Sequence, residues 1–209
     1  VQERFLLYEF IVILSSSIVF SSVYVMTMPF IKLYTMGITD AQYIDSRIPI
    51  FLVLIGYFEI IHIPSGHILN MSGNFNQSKI FQLIAALILI ITIPIFSYYF
   101  GFIGVLGGLL VTAIVLAILE ISFIHIKYFH NLLLNIARLL LINIIVAILL
   151  SVIEIKRLSN IYNYFQFLLL GCFVLAINTI IFFIVNFLFN KKYTDEFIQF
   201  IGKKVIRVK

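Results

Sequence analysis

"GYFEIIHIPSGHILNMSGNFNQSK", residues Gly56–Lys79, decides how this chain is to be read. Its first half continues an apolar run, yet it carries Glu59, His62, His67 and Asn70 and is interrupted by Pro64. A charged group at the centre of a bilayer costs roughly 2.5–3.5 kcal/mol on insertion scales, so such residues face a cavity or a partner instead of lipid. At about 100° per residue, Glu59, His62, Gly66 and Asn70 fall within an arc of roughly 80° on a helix, with His67 beyond its edge. Pro64 lacks the N–H that would bond the Ile60 carbonyl, which predicts a kink beside this polar stripe. The rest of the chain reads as scaffolding that lets this helix face something other than lipid.

Composition agrees with a membrane setting. Of 209 residues, 63% are hydrophobic and 11% charged, and the mean hydropathy is +1.16. A soluble domain of this size needs far more charge on its surface. The expected fold class is all-α, a polytopic membrane helical bundle. Tyr supplies the aromatic belt, because Trp is absent, and the single Cys172 lies in an apolar run and forms no internal disulfide. Val1 enters a hydrophobic run within ten residues, without a charged leader and a cleavage site. A fragment of a longer protein is therefore expected.

Six spans are predicted, over about Phe10–Phe30, Ile48–Met71, Ile80–Phe100, Phe102–Ile126, Leu132–Ile153 and Phe165–Phe189. Each is near the ~20 residues that a helix needs to cross the hydrocarbon. Residues 1–190 form the six-span unit and 191–209 a basic tail. An even number of spans puts both termini on one side. That side holds ten Lys and Arg, namely Arg4, Lys79, Lys127, Arg138, Lys191, Lys192, Lys203, Lys204, Arg207 and Lys209. The other side holds four, Lys32, Arg47, Lys156 and Arg157, so both termini are expected in the cytoplasm.

Smaller signals refine this picture. The first span is rich in Ser (Ser15, Ser16, Ser17, Ser21, Ser22) and ends at Pro29, which fits a close packing face or a pore lining. Gly37 and Asp40 mark a turn in the long outer loop, and Arg47 stands at its end as a snorkelling anchor or a grip on substrate. The third span is expected to kink or thin at Pro94. The uncharged "YYFGFIGVLGG" makes a tight turn, with Gly104 and Gly108 set for close helix packing. Glu120 is expected to pair with His125 or Lys127 near the cytoplasmic end of the fourth span. Asn143 lies within the fifth span, and Asn178 and Asn186 of the sixth suit bonds between helices. In the tail, Phe197, Ile201 and Val205 recur every four residues among lysines, the pattern of an amphipathic helix lying on anionic lipid headgroups; nucleic acid is not implied.

Glu59 and His62 have the i, i+3 spacing of half a metal site, but further ligands at matching positions are missing. HExxH, CxxC, a nucleophile elbow and a phosphate loop are all absent, so neither an enzyme nor a cofactor is expected. Two groups three residues apart on a helix can instead share one proton. A polar, kinked helix in a six-span unit has the physics of a transport pathway.

"PFIKLYTMGITDAQY", then Pro64, Asn70, Gly73, Asn74 and Phe75 in the spacing P-x5-N-x2-G-N-F, then "YFGFIGVLGG" resemble the carboxyl-terminal lobe of bacterial polysaccharide flippases. These Wzx-type exporters belong to the multidrug/oligosaccharidyl-lipid/polysaccharide exporter superfamily. The resemblance covers most of Tyr8–Lys127. It implies a multi-pass protein of the bacterial inner membrane that flips lipid-linked oligosaccharide by alternating access around a polar cavity, for cell-surface polysaccharide synthesis. The implied partners are the amino-terminal lobe of the same full-length protein and the lipid-linked substrate, and the polysaccharide polymerase machinery is admitted as another. Arg47, Glu59, His62 and Asn70 are the candidate substrate-binding residues. Relatives often carry a basic residue where His62 stands, so positive charge here depends on pH. A drug or lipid II exporter and a non-transporting six-span assembly protein are the competing readings.

Overall fold

The computed structural model describes residues 2–38, 45–129, 133–155 and 163–206, with side chains as far as residue 200. Asp40, Lys156, Arg157, Arg207 and Lys209 lie outside the described residues, as do the side chains of Ile201, Lys203, Lys204 and Val205. The described chain is helical in eight segments: α1 (Gln2–Tyr34), α2 (Arg47–Ile61), α3 (Ile63–Met71), α4 (Phe75–Phe100), α5 (Phe102–Phe129), α6 (Leu133–Ile155), α7 (Tyr164–Phe189) and α8 (Lys191–Ile206). Six helices are long and apolar enough to cross a membrane, counting α2 and α3 as one span over Arg47–Met71. The all-α, multi-pass expectation is met.

The first span lengthens at both ends. The first helix begins at Gln2 and runs through Pro29 to Tyr34. At about 1.5 Å per residue it is roughly 50 Å long, well beyond the ~30 Å of hydrocarbon. α4 likewise stays helical through Pro94. The expected interruption at Pro64 is present, with His62 the single residue between α2 and α3.

The hub of the bundle is α1, not the second span. It touches α2, α3, α6, α7 and α8, whereas α4 packs on α5 and α3. Phe10, Ile13 and Leu14 of α1 meet Tyr57 and Ile61 of α2, Ala117 and Ile121 of α5, Leu139 of α6 and Phe182 of α7 in the main core. Its serines serve this packing. Ser16, Ser17, Ser21 and Ser22 are buried, and Ser16, Ser17 and Ser22 each donate to a carbonyl one turn back. Small side chains whose hydroxyls bond their own helix allow several neighbours to approach at once. By contrast, Leu83, Leu87, Ile90 and Ile91 on the outer face of α4 are exposed, as suits a helix bathed in lipid.

Gly101 alone joins α4 to α5, at φ 59°. That left-handed conformation is one which only glycine adopts freely. A few residues on, a Cβ at Gly104 would overlap the Phe96 carbonyl of α4, whereas one at Gly107 would meet only side chains, the Phe96 ring at 3.3 Å and the Phe51 ring at 3.9 Å. Gly104→Ala is therefore expected to lower stability by about 1–3 kcal/mol, and Gly107→Ala by much less. Thermal unfolding of both variants in one detergent checks the difference.

Buried amides hold the remaining helices. Asn186 of α7 donates to Asn143 Oδ1 of α6 at 2.9 Å, and Asn178 of α7 donates to Ser22 of α1 at 3.0 Å. The helix-to-helix role expected of Asn178 and Asn186 is what the structure shows. α8 packs on α1 and α7, where the Phe197 ring meets Phe10 and Phe183. The start of the tail's apolar stripe is thus covered by protein.

Candidate functional site

The break at His62 turns one helix into two and brings its side chain against α5. His62 Nδ1 lies 2.8 Å from Glu120 Oε2, and its Nε2 lies 3.8 Å from Glu59 Oε2. The imidazole therefore stands between two carboxylates. Glu120 is buried, with its side chain 3% exposed, whereas that of Glu59 is 52% exposed. The partner of His62 is thus chiefly Glu120, across the helix interface. Glu120 was expected to pair with His125 or Lys127; instead Lys127 donates to Asn74 Oδ1 at 2.9 Å, and His125 turns elsewhere.

His125 faces α1. Its Nε2 lies 2.9 and 3.0 Å from the two carboxylate oxygens of Glu9, and Ser65 Oγ of α3 donates to Glu9 from 3.4 Å. Five residues apart on α5, Glu120 and His125 point about 140° away from each other, so each serves a different neighbour. Beside them, Tyr8 of α1 and His67 of α3 are stacked with the Tyr8 hydroxyl 3.1 Å from His67 Nδ1. Two carboxylate–imidazole pairs on α5 thus tie α1 and the broken second span together. They lie in the half of the bundle nearer the chain ends.

The two pairs differ in what surrounds the second ring nitrogen. His125 Nδ1 is buried without a hydrogen-bond partner among the described residues. With Nε2 donating to Glu9, that nitrogen is left as a bare lone pair, a cheaper arrangement than a stranded N–H. His62 Nε2 also lacks a hydrogen bond, but it has the Glu59 carboxylate at 3.8 Å to receive a second N–H. His62 thus has a carboxylate beside each ring nitrogen, whereas His125 has one beside Nε2 alone.

The four sequence-predicted site residues do not converge. Arg47 lies twelve residues from Glu59 on α2, about 18 Å away along the axis. Its guanidinium is engaged by Asp45 through Nε to Oδ1 at 3.0 Å and Nη2 to Oδ2 at 2.7 Å. Hydrogen bonds from the Arg47 side chain and from its backbone amide hold the Asp45 carboxyl below the usual carboxylate range. Asn70 is exposed near the far end of α3. Only Glu59 and His62 come together, and their line through the imidazole ring is not a convergent ligand set; among the described residues no three His, Cys, Asp or Glu side chains form one.

Sequence reading missed Glu9, His125 and Ser65 as a group. A signal for Glu9 existed: it is four residues from both Phe5 and Ile13, which are 3% and 0% exposed, so it shares their buried face. It falls outside the predicted first span, which starts at Phe10, whereas α1 begins at Gln2. Outward of the pairs, α1, α2 and α6 border a groove of about 380 Å³ where Ser17, Ser21, Tyr57, Asn143 and Ser151 interrupt an apolar lining. Ser17 and Ser21 of the serine-rich face are packed and also border this groove.

No family model matches the chain, and no curated protein or solved structure is significantly similar to it.

Proposed function

We propose that this chain is one lobe of a membrane exporter that flips lipid-linked oligosaccharide repeat units by alternating access, with His62 as a proton-dependent element. The observation that carries the reading is the His62–Glu120 contact at the break between α2 and α3. A discontinuous helix with ionisable side chains in an apolar bundle is costly unless it serves a pathway, and it marks substrate and ion sites in transporters. The hydroxyl-bearing groove lies beside it, with Tyr57 on its wall two residues from Glu59. The resemblance of "PFIKLYTMGITDAQY" and of the Pro64–Phe75 spacing to Wzx-type flippases supplies the substrate class. The Lys and Arg excess at the terminal side supports cytoplasmic ends in a bacterial plasma membrane. No enzymatic step is needed for this role.

In this reading, a passing anionic headgroup favours doubly protonated His62, and loss of that proton releases it. Glu120→Gln and His62→Gln keep hydrogen bonding but remove titration. In vesicles containing the full-length protein with an imposed pH gradient, both variants are expected to lose the pH dependence of export, with Glu59→Gln affected less. Export that stays normal and equally pH-dependent in the first two rejects proton linkage. Wild-type vesicles that move no lipid-linked oligosaccharide at all favour the assembly-protein reading.

A further inference from the structure

A second cavity lies at the end of the bundle that holds both chain ends. It measures about 320 Å³ and sits where the first turns of α1 and α6 meet the α7–α8 joint. That is within the range of small-molecule sites, roughly 300–1,000 Å³. Arg138 of α6 and Lys191 and Lys192 of α8 line it, against one carboxylate, Glu3. Among the described residues none of these cations has an ion-pair partner. Arg138 is aimed by its bond from Nη2 to the Phe189 carbonyl at 3.0 Å, the last residue of α7. Asn135 and Tyr193 add neutral hydrogen-bonding groups to the wall.

Three like charges around one hollow repel each other, and an anion seated among them removes that cost. Phosphate suits the set: the guanidinium offers paired N–H groups to two oxygens and each ammonium a point charge to the others. The surroundings favour a lipid as its carrier. Ile198, two helical turns beyond Lys191 on the same face of α8, is 53% exposed, so this face carries both a cation and an exposed apolar side chain, as on a helix at a membrane surface.

We propose that this cavity binds a phosphate group, carried by an anionic lipid headgroup of the adjoining leaflet or present as free phosphate. Basic pockets between membrane helices on the cytoplasmic side recognise headgroups in this way. The site is separate from the His62–Glu120 pair and does not depend on the transport reading.

The test uses the full chain in neutral-detergent micelles, followed by native mass spectrometry with phosphatidylglycerol, phosphatidylcholine or inorganic phosphate added. One saturable phosphatidylglycerol, retained over phosphatidylcholine, is expected. Lys191→Gln combined with Lys192→Gln is expected to weaken it on the order of tenfold, and Lys79→Gln, at the same end of the bundle, by less than about twofold. Asn135→Asp, which sets a carboxylate in the wall without touching a described hydrogen bond, gives a second route to the same loss if the double variant folds poorly. Inorganic phosphate that binds and displaces the lipid identifies free phosphate as the source and still supports the site. Equal retention of the two lipids, or a phosphatidylglycerol preference that survives both the lysine and the Asn135 changes, overturns it.

Discussion

His125→Ala is expected to destabilise the protein by about 3–5 kcal/mol, the range for leaving a buried charged group without its partner. Glu9 is 2% exposed and His125 0% exposed, and Nε2 contacts both carboxylate oxygens at 2.9 and 3.0 Å. Without the imidazole, Glu9 keeps only Ser65 at 3.4 Å, too long and too weak a bond to hold a carboxylate away from water. The Phe5 and Phe129 rings that pack on the imidazole also lose a neighbour. Much of the loss is the cost of the stranded carboxylate, so adding Glu9→Gln to His125→Ala should recover a large part of it. Thermal unfolding of the two single variants and the double variant in one detergent measures the coupling. Losses that simply add would mean that Glu9 and His125 do not act as a pair.

Gly66→Ala is expected to reverse the usual effect of that substitution. In a helix, replacing Gly by Ala ordinarily stabilises by roughly 1 kcal/mol. Here a Cβ would stand 2.8 Å from Glu120 Oε2, inside the distance that carbon and oxygen tolerate without one of them moving. The carboxylate is held by His62 at 2.8 Å, so its displacement breaks that contact. A net loss of about 1–3 kcal/mol follows from overpacking and from the buried group left without its partner. Glu120→Ala removes the obstacle, and in that background Gly66→Ala should be neutral or stabilising. The nitrogen NMR signals of His62 supply a second measurement, since they report whether Nδ1 still shares a hydrogen bond. An unchanged His62 spectrum together with raised stability in Gly66→Ala would show that Glu120 is not lodged against α3.

Glycine at position 66 shows how far a one-dimensional reading reaches. On a helical wheel Gly66 belongs to the polar stripe with Glu59, His62 and Asn70, and the spacing alone does not say why a residue without a side chain is there. The reason lies on α5: Glu120 occupies the space. The stripe itself divides in the folded chain, its centre turned to α5 and its ends, Glu59 and Asn70, exposed. No helical wheel contains that division, because it depends on which helix stands opposite each residue.

The amino-acid sequence by itself determined that this is a multi-pass helical membrane protein, where its second span breaks, and that Gly101, Gly104 and Gly108 make a tight α4–α5 hairpin. Those are properties of run length, of proline's missing donor and of glycine's missing Cβ, all local to the chain. Tertiary structure alone decided that α1 is the hub, that Glu120 belongs to His62 and His125 to Glu9, and that Arg138 shares a cavity with Lys191 and Lys192. These are pairings between residues 53 to 116 positions apart. Polar side chains in an apolar bundle must find partners, but which partner is within reach is set by how the helices pack.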